Sequence, residues 1–142
     1  MSGYLLDTTL LIDHATGRPD GVEMLARLSG ETGALYSCDV TTSEAMSGGP
    51  SEERAVIGRL LDALEYLALD PEGARWAGDR RRELRAQGRR SPLGDSIIAA
   101  LAWRMEATVV TRNPSDFRPF GIPVLAYGEG QISAGTKRGS TS

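Results

Sequence analysis

With 142 residues, 40% apolar and 25% charged, the chain has the size and composition of one globular domain able to bury a core. Its net charge of -3 argues against a broadly basic protein that coats nucleic acid, because bulk attraction to phosphate needs an excess of Lys and Arg. A single cysteine, Cys38, and a single histidine, His14, exclude an intrachain disulfide and an ordinary structural zinc site within one chain, so any metal must be held by oxygen.

Tyr4, Leu5 and Leu6 predict a short strand ending at Asp7, after which Thr8 and Thr9 offer hydroxyls to cap a helix carrying Leu10, Leu11 and His14. A second helix, Val22 to Leu28, follows the Gly-Arg-Pro-Asp-Gly turn and is closed by Gly30, and Ala34 to Ser37 reads as a strand. Glu44 falls in a helix from Val40 to Met46. Ser51 is expected to cap the next helix, with Val56, Leu60, Leu61 and Leu64 at helical spacing. Tyr66 to Leu69 reads as a short strand, and Asp70-Pro71 opens an arginine-rich helix that Gly88 stops. Ser91-Pro92 repeats that start signal and places Asp95 in the first turn of a helix with Ile98, Leu101, Ala102 and Met105 as its buried stripe. Thr108 to Thr111 is a strand, Asn113-Pro114 breaks it, and Val124 to Ala126 is the last. From about Gly128 the chain is rich in Gly, Ser, Thr and Lys. A folded domain over residues 1–127 and a flexible tail over 128–142 are expected. The longest strongly apolar run, Ile97 to Trp103, is too short to span a bilayer, and Met1 to Tyr4 carries no basic leader, so a cytoplasmic protein with no membrane partner is expected.

Strands separated by helical segments predict an α/β fold, a short central parallel sheet flanked by helices on both faces. Ligands of such sheets bind beyond the carboxyl ends of the strands. Asp7 follows the first strand; Thr111, Asn113 and Asp116 follow the strand at Thr108. Taken singly, each acid has an ordinary use: Asp7 as a helix cap, Glu44 as a solvated surface residue, Asp95 as a complement to the helix dipole, Asp116 as a turn former. Taken together, Asp7, Glu44, Asp95 and Asp116 predict one acidic pocket braced by Arg112. Like charges persist together at neutral pH only if a cation neutralises them or some stay protonated, and a hard divalent ion, Mg²⁺ or Mn²⁺, is the simplest answer.

The blocks Leu5-Leu6-Asp7-Thr8-Thr9-Leu10-Leu11-Ile12, Ser43-Glu44, Gly94-Asp95-Ser96-Ile97-Ile98-Ala99-Ala100-Leu101-Ala102 and Val109-Val110-Thr111-Arg112-Asn113-Pro114-Ser115-Asp116-Phe117 resemble, in order and spacing, the PIN-domain ribonucleases, and most closely the toxin half of VapBC toxin–antitoxin systems. The likeness runs from about Tyr4 to Tyr127. It implies a PIN-like domain, a metal site of Asp7, Glu44 and Asp95, an antitoxin partner, a homodimer, and RNA cleaved to 5′-phosphate and 3′-hydroxyl ends. Many relatives carry Asp after the Thr-Arg pair where this chain has Asn113, so the fourth position lies between Asn113, which offers a carbonyl oxygen without charge, and Asp116. Four carboxylates are compatible with one ion or two.

Thr9 and Thr111 are candidates to bind water on the metal or the phosphate, with strand-end capping as their ordinary role. The stripe Arg80, Arg81, Arg82, Arg85, Arg89 and Arg90 is a candidate RNA-backbone contact, or else a solvated helix face. Of the two indoles, Trp103 sits at core-helix spacing and suits packing or a dimer contact, and Trp76 is the better base-stacking candidate. A haloacid-dehalogenase-type phosphatase also places Asp after the first strand, but wants an acid two residues on, where this chain has Thr9. A non-catalytic binding module of the same fold is the other rival.

Overall fold

The computed structural model describes residues 3–128, and the expected tail lies, from residue 129, outside the described residues. Strands β1 (Tyr4–Leu6), β2 (Leu35–Cys38), β3 (Glu65–Leu67), β4 (Thr108–Thr111) and β5 (Val124–Ala126) form one sheet in the order β3-β2-β1-β4-β5. Every neighbouring pair is parallel. The connections contain helices α1 (Thr8–Ala15), α2 (Pro19–Ser29), α3 (Asp39–Met46), α4 (Ser51–Asp62), α5 (Pro71–Ala86) and α6 (Leu93–Met105).

The central strands are apolar on both sides because both faces are covered. Successive side chains of a strand point to opposite faces. Leu5 and Val109 accordingly join Leu84, Ile98, Leu101 and Phe117 in one core, while Leu6 and Val110 join Leu10, Leu11, Leu28 and Ile57 in another. Each fully buried aliphatic side chain contributes about 1.5–3 kcal/mol relative to exposure. The two cores clamp β1 and β4 from opposite sides and fix where their carboxyl ends emerge. Among the described residues no helix is long and apolar enough to cross a membrane.

Several expected helix starts move. Asp7, not Thr8 or Thr9, is the N-cap residue of α1, and the threonine hydroxyls bond elsewhere. Helix α2 begins at Pro19, three residues ahead of Val22, because proline suits the first helical position. Ser51 is already inside α4, with Pro50 at the cap, and Ile57 rather than Val56 is the buried residue of that helix. Asp70 does cap α5, its Oδ1 accepting the Gly73 N–H at 2.8 Å. Ser91 lies outside α6, whose cap residue is Pro92; the Ser91 carbonyl instead accepts a bond from Arg81 Nε at 2.7 Å. Met105 leaves the buried stripe and is 40% exposed. The helix ends there in a left-handed residue, Glu106 (φ 53°), and Ala107 takes the buried place beyond it.

The seating of α6 therefore rests on Ile98 and not on Met105. Ile98→Ala is expected to destabilise the protein by about 2–5 kcal/mol, and Met105→Ala to stay within about 0.5 kcal/mol of wild type, both read from urea unfolding. Equal losses at the two positions contradict this packing.

Candidate active site

The chain leaves β1 toward β2 on one side, whereas β4 lies on the other, so the strand order reverses beside β1. Such a reversal opens a crevice at the carboxyl ends of the strands. Asp7 stands at its floor, 6% exposed. Its carboxylate does not take the usual cap bond from an N–H further into the first turn of α1. Asp7 Oδ2 instead accepts from Thr111 Oγ1 at 2.8 Å and from Thr9 Oγ1 at 3.1 Å. These hydroxyls, expected to serve metal waters or phosphate, orient the acid, and each also accepts a backbone N–H: Asn113 N bonds Thr111 Oγ1 at 2.9 Å and Arg112 N bonds Thr9 Oγ1 at 3.2 Å.

The other acids gather on the rim. Glu44, exposed on α3, accepts from Thr8 Oγ1 at 2.6 Å. It leans over the head of α6: a Cβ placed on Gly94 would stand 3.3 Å from Glu44 Oε2 and 3.2 Å from Val40 Cγ1. Glycine at that position lets α3 and α6 close together beside Asp95. Asp116 ends a 3-10 turn, Pro114–Asp116, that follows β4. It lines, with Asp95, Arg89, Arg90, Ser115 and Phe120, a cleft of about 200 Å³. Asn113 is exposed next to Asp116 and spends its backbone N–H on Thr111.

Two of these acids have displaced pKa values, and the other acids figure among the causes. Burial pushes Asp7 above the usual carboxylate range, against the pull of bonds from Thr111, the Thr8 backbone and Thr9, and the charge of Glu44 pushes it further. Asp95 is pushed up to about 7, first by burial and then by Asp116, Asp7 and Glu44 in turn, while Arg90 pulls it down. Asp95 thus feels the charges of the other three, and Asp7 that of Glu44. Among the described residues no three acidic, histidine or cysteine side chains are drawn together tightly enough to enclose an ion. What the crevice offers a cation is oxygen donors alone, the set a hard ion takes. Asp7 and Asp95, whose ionised forms are the most disfavoured, have most to gain from one.

The arginine stripe divides. Arg89 and Arg90 lie on the acidic cleft, and Arg82 and Arg85 are exposed on α5. Arg80 is committed to the fold, pairing with Glu83 at 2.9 Å and reaching the Pro119 and Phe120 carbonyls at 3.4 Å. Arg81 is likewise held by Ser91. Trp76 does not offer a free face to a base: it stacks on Trp103 with ring centroids 5.0 Å apart and planes 6° apart, and Arg80 lies over its ring. Arg112 does not brace the four acids. Its Nε donates to Asp13 Oδ2 at 2.9 Å, and the Tyr127 hydroxyl donates to the same oxygen at 2.7 Å. Sequence reasoning passed over Asp13 and Tyr127. The available signal was the three-residue step from Leu10 to Asp13, which puts an acid on the buried face of α1.

The α/β scaffold and its crevice of carboxylates define a PIN-type fold, and the PIN domain profile matches residues 4–120. The chain belongs to the PIN-domain family. It is 31% identical over 126 residues to ribonuclease VapC10 of Mycobacterium tuberculosis, covering 84% of this chain and 94% of that one. Its structure is similar to the DNA-bound VapBC of Salmonella typhimurium, with TM-score 0.72, 25% identity, and coverage of 89% of this chain and 98% of that one. It is also similar to a toxin–antitoxin complex from Klebsiella pneumoniae, with TM-score 0.70, 25% identity, and coverage of 87% and 97%.

Asp95 makes stability depend on pH. Its folded-state pKa of about 7 lies above its ordinary 3.8, so between these values the folded chain binds more protons than the unfolded one and stability falls as pH rises. In EDTA, Asp95→Asn is expected to melt higher than wild type at about pH 8 and level with it at about pH 4, whereas Mg²⁺ at the higher pH raises the wild type more than the variant. A wild type that melts no lower than the variant in EDTA at alkaline pH contradicts the raised pKa of Asp95.

Proposed function

We propose that the protein is a metal-dependent endoribonuclease, the toxin half of a type II toxin–antitoxin pair, acting on RNA in the cytoplasm and neutralised by a small antitoxin protein. The observation that carries this reading is the placement of the acids in one crevice: Asp95 and Asp116 line the same cleft, and Asp95 is destabilised as an anion first by burial and then by Asp116, Asp7 and Glu44. A lone structural acid would find a partner cation at close range. These acids instead stand against one another in a fold whose relatives are ribonucleases.

Asp7 and Asp95 would hold the ion, Mg²⁺ or Mn²⁺, with Glu44 and Asp116 reaching it through water and Asn113 offering a neutral oxygen beside Asp116. When bound, such an ion lowers the pKa of a coordinated water and offsets the charge that develops at phosphorus. Thr9 and Thr111 keep the Asp7 carboxylate in one orientation. Arg89 and Arg90 would take RNA phosphates flanking the scissile one, drawing a polyanion toward an acidic pocket that otherwise repels it. Acid and base catalysis by paired histidines is closed to one chain, since His14 is its single imidazole. A phosphatase of the haloacid-dehalogenase type is disfavoured because Thr9 stands where its acid would be and serves as a hydrogen-bond donor to Asp7.

The antitoxin would insert a basic side chain among the carboxylates, supplying the charge the ion otherwise brings. A homodimer is the expected form of the toxin.

Labelled RNA incubated with Mg²⁺ is expected to be cut by the wild type, with EDTA abolishing cleavage, Asp7→Asn lowering it by about 100-fold or more, and a stoichiometric antitoxin stopping it. Cleavage that survives both chelation and Asp7→Asn overturns the proposal. The double variant Arg89→Ala, Arg90→Ala is expected to raise KM and reduce the salt dependence of RNA binding by about two units of slope, about one for each phosphate no longer neutralised. An unchanged slope removes these arginines from the RNA path.

A further inference from the structure

Beside the crevice lies a buried acid that belongs to no carboxylate cluster. Asp13 is 5% exposed, and its Oδ2 accepts from Arg112 Nε at 2.9 Å and from the Tyr127 hydroxyl at 2.7 Å, with Arg18 Nε at 4.0 Å. Arg112 is the first residue after β4, and Tyr127 is the first after β5. Asp13 therefore ties two strand ends to α1. Helix α2 seals it in, for a Cβ on Gly21 would stand 2.6 Å from Asp13 Cβ.

A buried ion pair is a poor way to gain stability, because apolar side chains of similar volume do as well or better; what it offers is a defined position. Two short chains of hydrogen bonds lead from this pair to Asp7. The Arg112 N–H donates to Thr9 Oγ1 at 3.2 Å, and Thr9 Oγ1 donates to Asp7 Oδ2 at 3.1 Å. The Asn113 N–H, next along the backbone, donates to Thr111 Oγ1 at 2.9 Å, and Thr111 Oγ1 donates to Asp7 Oδ2 at 2.8 Å. Anchoring the Arg112 guanidinium thus sets two consecutive N–H groups, and these set both hydroxyls that hold Asp7.

We propose that Asp13, Arg112 and Tyr127 form a brace that positions the Asp7 carboxylate for metal binding, acting through the Arg112 and Asn113 backbone and the hydroxyls of Thr9 and Thr111. The inference rests on the reading of Asp7 as a metal-site acid. All three are positioning residues. None of them needs to touch RNA or the ion.

The test uses the full chain and its Tyr127→Phe, Asp13→Asn and Arg112→Lys variants, with Ile57→Val as a control in the core that Tyr127 shares but outside its hydrogen bonds. Three quantities are compared: Mn²⁺ affinity of the RNA-free protein by calorimetric titration, kcat and KM on RNA, and urea stability. Tyr127→Phe, which removes one hydroxyl and keeps the ring, is expected to weaken Mn²⁺ binding about 10-fold and to lower kcat with KM unchanged. Arg112→Lys should do the same, because an ammonium keeps the charge but not the planar fork. Ile57→Val should lose stability alone. The brace is overturned if Tyr127→Phe binds Mn²⁺ and turns over as wild type does, or if the wild type binds no Mn²⁺. Should Asp13→Asn fail to fold, Tyr127→Phe decides. A wild type that binds Mn²⁺ but cuts no RNA sinks the ribonuclease reading, and the affinity comparison still judges the brace.

Discussion

The burial of carboxylates close to one another at the β1/β4 crevice is the constraint on which the rest of this structure depends. Asp7 is lifted by burial and by Glu44, and Asp95 by burial, Asp116, Asp7 and Glu44. A fold that drew these acids together without using them would carry a cost at neutral pH for nothing. A hard cation converts the same arrangement into a binding site, since each ionised oxygen then has a partner. The cost falls on stability and the gain on function, an ordinary division of labour at active sites.

The scaffold answers that constraint with rigidity. Leu5, Leu6, Val109 and Val110 are wholly buried between two cores, so the ends of β1 and β4 cannot drift apart. Thr9 and Thr111 then lock the deepest acid, and Gly94 lets α3 settle against α6 so that Glu44 reaches the rim. The rim acids Glu44 and Asp116 are exposed, Glu44 on a hydrogen bond from Thr8. A fixed floor and an exposed rim suit a site that must admit a metal, a phosphodiester and, in the proposed pair, a basic antitoxin side chain in turn.

Much of this was legible in the sequence because it follows from local rules. Alternating strands and helices implied the parallel sheet, and the emergence of Asp7 and Asp116 after strands placed them on one edge of it. Asp95 joined them as the head of a helix beside those strands, and Glu44 had the least local support, since a surface acid looks like any other until packing brings it in. Helix starts slipped at Ser51 and Ser91, where a proline next to the serine took the cap. Met105 was misplaced because the left-handed turn at Glu106 ends the helical period one residue beyond it. The larger omission was Asp13. Its partners Arg112 and Tyr127 lie 99 and 114 residues away, and no local pattern ties a helix acid to two distant strand ends. Arg112 was likewise expected to brace the acids directly, whereas its guanidinium holds Asp13, and Trp76, the better of the two stacking candidates, packs on Trp103.

The most direct measurement of the central claim is the anomalous scattering of crystals grown with Mn²⁺. The expected result is an ion between the Asp7 and Asp95 carboxylates, with Glu44 and Asp116 on its water shell. Manganese bound elsewhere on the surface, or a crevice in which Asp95 stays protonated and takes no ion at alkaline pH, would contradict it.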